Sequence, residues 1–212
     1  MARAGAAEGL WLRAERQTGG RGRQGRGWHS SFGNLYASTL VRLAGGDPTA
    51  PTLALVAAVA LHEVADAYAP GRDVTIKWPN DLLAGGAKLS GILLERADDA
   101  VVIGFGVNLA HAPEDLDRPV TSLAALTGGA PDAEAFLETL AASFTRWLAR
   151  WRSEGVLPIR NRWLLAAHPV GTALTTAQGD GLFDGLDQAG ALRLRLADGS
   201  TRVIHAGDVF LL

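Results

Sequence analysis

Four short segments of the chain carry side chains suited to binding an anionic substrate. They are the Gly- and Arg-rich residues 17–28, the Lys-Trp-Pro-Asn-Asp turn at 77–81, the Lys-Leu-Ser-Gly stretch that starts at Lys88, and the Gly-x-Gly-x-Asn sequence that ends at Asn108. Guanidinium and ammonium groups bind carboxylate and phosphate oxygens, and glycine lets the backbone approach a ligand closely. Together the four segments predict a pocket with a floor of strands and a cationic rim.

Residues 17–28 form a segment that we call the Gly/Arg loop. Arg21, Arg23 and Arg26 are expected to converge on a group with several negatively charged oxygens. Because the loop has no apolar residue between Gln17 and Gly27, we expect it to be mobile until an anion orders it. An RNA-contacting or simply solvated arginine loop is the alternative that this segment alone leaves open.

The same loop contains Gly20-x-Gly22-x-x-Gly25, which formally matches the dinucleotide-binding fingerprint. A Rossmann loop must open a helix, whereas the residues that follow here have no helical apolar stripe. The spacing therefore does not favour a dinucleotide site.

The other segments add a cation, an amide and a carboxylate at defined places. Pro79 restricts the turn that presents Lys77, Asn80 and Asp81, where Asn80 can bind a base edge or a phosphate and Asp81 can hold Mg²⁺ bridged to phosphates. An ordinary Asn-Asp turn is the alternative. Only two of the 20 basic residues are lysines, Lys77 and Lys88, which suggests that an ammonium group is required at these places.

Composition and missing motifs exclude several classes of chemistry. The chain has no cysteine, which excludes disulfides, zinc thiolate sites and cysteine nucleophiles. It also has no P-loop, no His-Glu-x-x-His sequence and no Gly-x-Ser-x-Gly nucleophile elbow. A net charge of −2 argues against a protein that coats nucleic acid. The apolar run at 53–61 is too short to cross a bilayer, so we expect a cytoplasmic protein with no membrane contact.

Hydrophobic periodicity predicts the elements that position these segments. Strands are expected at 9–16, 34–43, 74–78, 88–95 and 100–107, helices at 49–69, 132–152 and 158–167, and four short strands between 172 and 205. This order predicts an α/β or α+β domain over residues 1–167, followed by a small β-barrel over residues 168–212.

The four segments, in this order and at these separations, resemble those of the biotin–protein ligases. The resemblance runs from about Gly9 to the C-terminus, and residues 184–192 fit the small SH3-like barrel of that family. It implies an α+β fold, with a mixed β-sheet catalytic domain of the biotin/lipoate ligase type and a C-terminal SH3-like β-barrel. It also implies two steps: biotin and ATP form biotinyl-5′-AMP, and a carrier-protein lysine then takes the biotinyl group.

The resemblance assigns roles residue by residue. It places these residues at biotin: Gln17, Arg21, Gly22, Arg23, Lys88 and Gly91. It places these at ATP or the adenylate: Arg23, Arg26, Trp28, Lys77, Asn80, Asp81 and Asn108. Lys88, Arg23 and Lys77 are the expected catalytic residues, and Asp81 is the candidate contact for Mg²⁺.

The implied partner is the biotin carboxyl carrier domain of an acyl-CoA carboxylase, and a homodimer is left open. Only 16 residues precede Gln17, so we expect no N-terminal DNA-binding domain and no nucleic-acid partner. Family members also carry a Ser-Thr-Asn segment upstream that contacts biotin, and no such triplet occurs here. The expectation is either a start downstream of the true one or an incomplete biotin pocket. A lipoate–protein ligase of the same fold and a non-catalytic binding module are the alternative functions.

Overall fold

A computed structural model of the chain describes residues 5–113 and 118–212, which form two antiparallel β-sheets and a layer of helices. The first sheet has the strand order β1-β2-β6-β5-β4-β3 and the second has the order β10-β9-β8-β7-β11. The strands are β1 (Trp11–Ala14), β2 (Leu35–Arg42), β3 (Val74–Lys77), β4 (Asp81–Ala84), β5 (Ala87–Ala97), β6 (Ala100–Val107), β7 (Ala173–Thr176), β8 (Gly179–Leu186), β9 (Leu192–Arg195), β10 (Thr201–Ile204) and β11 (Val209–Leu211). The helices are α1 (Leu53–Tyr68), α2 (Leu123–Thr127), α3 (Ala133–Glu154) and α4 (Val156–Ala166).

The α+β fold class is confirmed. All pairings between the named strands are antiparallel, and parallel pairing occurs in two isolated bridges, Ile76 with Ala167 and Lys88 with Val120. The predicted strand at 100–107 has the observed bounds, and the other predicted strands differ from the observed ones by a few residues at their ends. Strands β4 and β11 and helix α2 were not predicted, because segments of three to five residues give no clear period.

The helices begin and end where local signals place them. Asp132 caps α3, since its carboxylate accepts hydrogen bonds from the backbone N–H groups of Glu134 and Ala135. Gly155 ends the helix at φ 79°, a conformation that favours glycine. Helix α1 packs against α3 and α4 and is buried along almost its whole length.

The described residues contain one helical stretch, Ala50–Tyr68, that is long and apolar enough to span a membrane by length and composition. Of the apolar window in this stretch, 67% is buried inside the protein. Packing against the sheet and the neighbouring helices therefore accounts for its apolar surface.

The two faces of the first sheet differ in what covers them. Ile92, Ile103 and Phe105 point to the helix side and are almost completely buried. On the other face Gly91 pairs with Gly106, and Leu93 pairs with Gly104. We call this second face the open face, because its small residues leave room above the sheet.

Candidate active site

The open face is the floor of a cavity with a volume of about 210 Å³. Its walls come from three distant parts of the chain: the Gly/Arg loop, the turn between β3 and β4, and residues 208–210 at the start of β11. The second sheet, which lies in the region predicted as a β-barrel and is called the barrel from here on, therefore contributes directly to the cavity.

Backbone hydrogen bonds give the Gly/Arg loop a defined shape. The N–H of Gly22 donates to the carbonyl of Arg26 at 2.7 Å, and the N–H of Trp28 donates to the carbonyl of Gly20 at 3.0 Å. A side chain at position 20 would not fit, because its Cβ would lie 2.7 Å from the Trp28 carbonyl oxygen. The loop thus closes on itself and places Trp28 at its end.

The indole of Trp28 lies flat on the paired glycines of the floor. A Cβ atom at Gly106 would come within 2.6 Å of Trp28 Cε2, and one at Gly91 within 3.1 Å of Trp28 Cζ3. Lys88 Nζ is 5.6 Å from the centroid of the ring. Trp28 Nε1 is buried and has no hydrogen-bond partner among the described residues, so this N–H is available to an acceptor on a ligand.

Two lysines share one buried carboxylate in the cavity. Lys88 Nζ contacts Asp81 Oδ1, and Lys77 Nζ lies 3.4 Å from Asp81 Oδ2. Burial lowers the pKa of Lys88, and the charge and hydrogen bond of Asp81 oppose that shift. One carboxylate for two ammonium groups leaves a net positive charge, which favours an incoming anion.

An ion-pair cluster joins the Gly/Arg loop to the barrel. Asp208 Oδ1 accepts from Arg26 Nη2 at 2.9 Å and from Arg23 Nη1 at 3.4 Å. Arg23 Nη1 also donates to the Gly207 carbonyl at 3.1 Å, and Lys77 Nζ donates to the Val209 carbonyl at 2.8 Å. The cations of the site are therefore oriented partly by the C-terminal strand.

Comparisons with known proteins identify the family of this chain. Residues 6–108 match the model of the biotin/lipoate A/B protein ligase family, and residues 176–212 match the biotin protein ligase C-terminal domain. The chain is 42% identical to the biotin–[acetyl-CoA-carboxylase] ligase of Paracoccus denitrificans, over 94% of this chain and 89% of that protein. The chain belongs to the biotin protein ligase family.

Two further biotin protein ligases show the extent of the likeness. The biotin–[acetyl-CoA-carboxylase] ligase of Mycobacterium tuberculosis is 38% identical over 95% of this chain, which covers 79% of that protein. The Aquifex aeolicus biotin protein ligase, solved in complex with biotin and ATP, superposes with a TM-score of 0.88 at 25% identity. That superposition covers 98% of this chain and 91% of the Aquifex chain.

The structure brings together most of the residues that the sequence placed at the ligands. The predicted residues that line this ligase cavity are Gln17, Arg21, Gly22, Arg23, Arg26, Trp28, Lys77, Asn80, Asp81, Lys88 and Gly91. Asn108 is not among the lining residues. It is buried, and its Nδ2 donates to the Thr121 carbonyl at 3.0 Å.

Sequence reasoning missed several lining residues of the cavity, among them Arg118, Asp208 and Phe210. Asp208 and Phe210 lie near the C-terminus, outside every motif, and reach the cavity only because the barrel packs beside it. Arg118 follows a segment with no recognisable pattern. For Asp208, an acidic residue between a glycine and a short apolar run was the only available signal.

Proposed function

We propose that this chain is a biotin–[acetyl-CoA-carboxylase] ligase, which activates biotin with ATP and transfers it to a lysine of a biotin carboxyl carrier protein. The observation that carries the proposal is the pair of lysines on buried Asp81, which faces the arginines of the Gly/Arg loop across one cavity. The family membership and the activity named for the Paracoccus and Mycobacterium relatives support the same function.

The first step joins two anions, so charge neutralisation is its main requirement. A carboxylate oxygen of biotin attacks the α-phosphorus of ATP, the bond to the bridging oxygen breaks, and pyrophosphate leaves with that electron pair. Lys88 and Arg23 are assigned to the carboxylate and the α-phosphate, and Lys77 to the departing pyrophosphate. Groups that are already in position stabilise the developing charge without reorganisation.

The second step forms the amide. The neutral amine of the carrier lysine attacks the carbonyl carbon of biotinyl-5′-AMP, AMP leaves, and the new amide nitrogen loses a proton. Water would hydrolyse the same mixed anhydride, so the Gly/Arg loop over the cavity is assigned the further role of excluding water.

The remaining assignments divide the cavity into two parts. Gln17, Arg21, Gly22 and Gly91 are proposed to contact biotin. The nucleotide is assigned to these residues: Arg26, Trp28, Asn80 and Asp81. Because the Asn108 amide is bonded to the Thr121 carbonyl, we assign Asn108 to positioning the chain beside the nucleotide rather than to a direct contact.

Magnesium enters this scheme as the MgATP substrate. Each carboxylate oxygen of Asp81 faces an ammonium group, and the described residues contain no group of three His, Cys, Asp or Glu side chains that could hold a metal. A direct contact of Asp81 to Mg²⁺ would require a lysine to move away. The side chains around Asp81 are therefore consistent with a Mg²⁺ ion that is held by the phosphates of ATP rather than by the protein.

The decisive experiment measures biotin-dependent release of pyrophosphate from MgATP. We expect release with biotin, none with lipoate, and biotinyl-AMP in the mass spectrum of the quenched reaction. Addition of a biotin carboxyl carrier domain should then transfer biotin to one lysine. Release that requires lipoate would contradict the biotin assignment, and binding of both substrates without turnover would contradict the ligase assignment.

A further inference from the structure

Arg118 lines the cavity although it belongs to none of the sequence motifs. The chain at 118–121 runs beside the first residues of β5. There the Lys88 N–H donates to the Pro119 carbonyl, and the Thr121 N–H donates to the Lys88 carbonyl, both at 2.9 Å. These bonds tie the backbone that carries Arg118 to the backbone of Lys88.

Asn108 also holds the segment that contains Arg118, through hydrogen bonds to Thr121 and Leu123. Its Nδ2 donates to the Thr121 carbonyl, and its own carbonyl accepts from the Leu123 N–H at 2.9 Å. Asn108 directly follows β6 and is buried, so the anchor lies at the end of a central strand of the sheet. Arg118 therefore has a defined attachment beside the cavity.

The charges around Lys88 show where the Arg118 guanidinium acts. Burial is the main cause of the lowered pKa of Lys88, and the positive charges of Arg118 and Lys77 lower it further. Arg118 and Lys88 also line the same cavity. The two oxygens of Asp81 face Lys77 and Lys88, so Asp81 does not balance the charge of Arg118.

We infer that Arg118 is a phosphate-binding residue of this site, which holds the α-phosphate of ATP and of the adenylate from the chain that follows β6. The inference rests on the proposed function. The biotin carboxylate loses its charge when the anhydride forms, whereas the α-phosphate keeps one negative charge through both steps. An exposed arginine also suits this ligand, because its planar fork matches phosphate oxygens.

The test compares two ligands on the full-length chain. Calorimetric titration uses biotin and biotinol-5′-AMP, an unreactive phosphodiester that keeps the α-phosphate charge. We expect Arg118→Gln to weaken the phosphodiester about tenfold, the usual scale for one lost charge-assisted contact, and to leave the biotin affinity unchanged. Arg118→Lys keeps the positive charge but not the planar guanidinium group. Its affinity for the phosphodiester should fall between those of the wild type and Arg118→Gln.

Arg72→Gln is the matched control, because Arg72 is exposed in the turn before β3 and lies outside the cavity. Wild-type affinity of Arg118→Gln for the phosphodiester would overturn the inference, and so would equal weakening of both ligands. A wild-type chain that bound neither ligand would instead contradict the proposed function. Unchanged biotin binding shows that each variant is folded.

Discussion

At the scale of single residues, the arrangement of Lys77 and Lys88 about Asp81 is the feature that supports our proposal of an anion site in this cavity. All three side chains are mostly buried, and one carboxylate balances only one of the two ammonium charges. An excess of buried positive charge is unfavourable, so we expect an anionic ligand to offset it. The same pair keeps Lys88 in place beside the Trp28 ring.

Replacing Lys88 should strongly slow adenylate formation while the fold is retained. In Lys88→Met the carboxylate of Asp81 keeps Lys77 as its partner, so no buried charge is left alone. Loss of a preorganised cation at the reacting centre should lower biotin-dependent pyrophosphate release by about 10²- to 10³-fold. The measurement is the initial rate at saturating MgATP, with circular dichroism as the folding control. Turnover close to wild type would remove Lys88 from the mechanism.

The two glycines of β6 provide a matched pair for testing the position of Trp28. In Gly106→Ala the new methyl group overlaps the indole, which must move, and we expect a loss of about 1–3 kcal/mol in the free energy of unfolding. In Gly104→Ala the nearest atoms are Ser38 Oγ at 3.7 Å and the Leu93 carbonyl oxygen at 3.8 Å, which are ordinary contacts. Urea denaturation compares the two variants, and equal stability would mean that the indole does not rest on Gly106.

At the scale of elements, the Gly/Arg loop has one apolar residue, Trp28, which packs on the sheet, and none between Gln17 and Gly27. The expectation from sequence was a loop that an anion orders, and the structure shows that Asp208 already occupies Arg23 and Arg26. The contacts of Arg23 and Arg26 with the barrel are thus polar, and we propose that these arginines exchange the Asp208 carboxylate for a ligand anion when a ligand binds.

Removing the Asp208 charge should expose the loop to protease. In Asp208→Asn, Arg23 and Arg26 lose their ion pairs, and we expect trypsin to cut within residues 17–28 about three to ten times faster, since opening of the loop is easier. Mass spectrometry of the fragments identifies the sites. Asp184→Asn is the control, because Asp184 pairs with Arg193 inside the barrel. Equal rates for the two variants would show that Asp208 does not restrain the loop.

At the scale of the whole molecule, the helices, the first sheet and the barrel share one hydrophobic core. Trp163 of α4 packs near Phe183 of the barrel with ring centroids 6.3 Å apart. Trp78 Nε1 donates to the Gly190 carbonyl at 3.2 Å, across the same junction. We propose that residues 1–167 and 168–212 are two structural units that pack together through a shared apolar core.

This junction predicts one cooperative unfolding transition. Differential scanning calorimetry should give a single peak with a ratio of van't Hoff to calorimetric enthalpy close to 1, because neither unit can open without exposing shared core. Two resolved peaks, or a barrel whose amide protons exchange much faster than those of β5 and β6, would contradict the prediction.

Local signals in the sequence are enough to predict several elements and the type of chemistry expected at the site. Asp132 and Gly155 mark the ends of α3 through side-chain capping and a left-handed turn, which depend only on neighbouring residues. The glycines, arginines and two lysines likewise indicated an anion site, because residue type alone sets their charge and reach. The resemblance to biotin–protein ligases rested on those same residues.

Which of these groups lie close together, and which other residues join them, depends on contacts between distant segments of the fold. Asp208 lies 182 residues from Arg26 in the chain, and no local pattern predicts their ion pair. Strands β4 and β11 are short and owe their existence to neighbouring strands, and the Asn108 amide is bonded to Thr121 because the chain returns beside β5. Contacts between distant segments depend on how the whole core packs, and that information is spread over the chain rather than written at either residue.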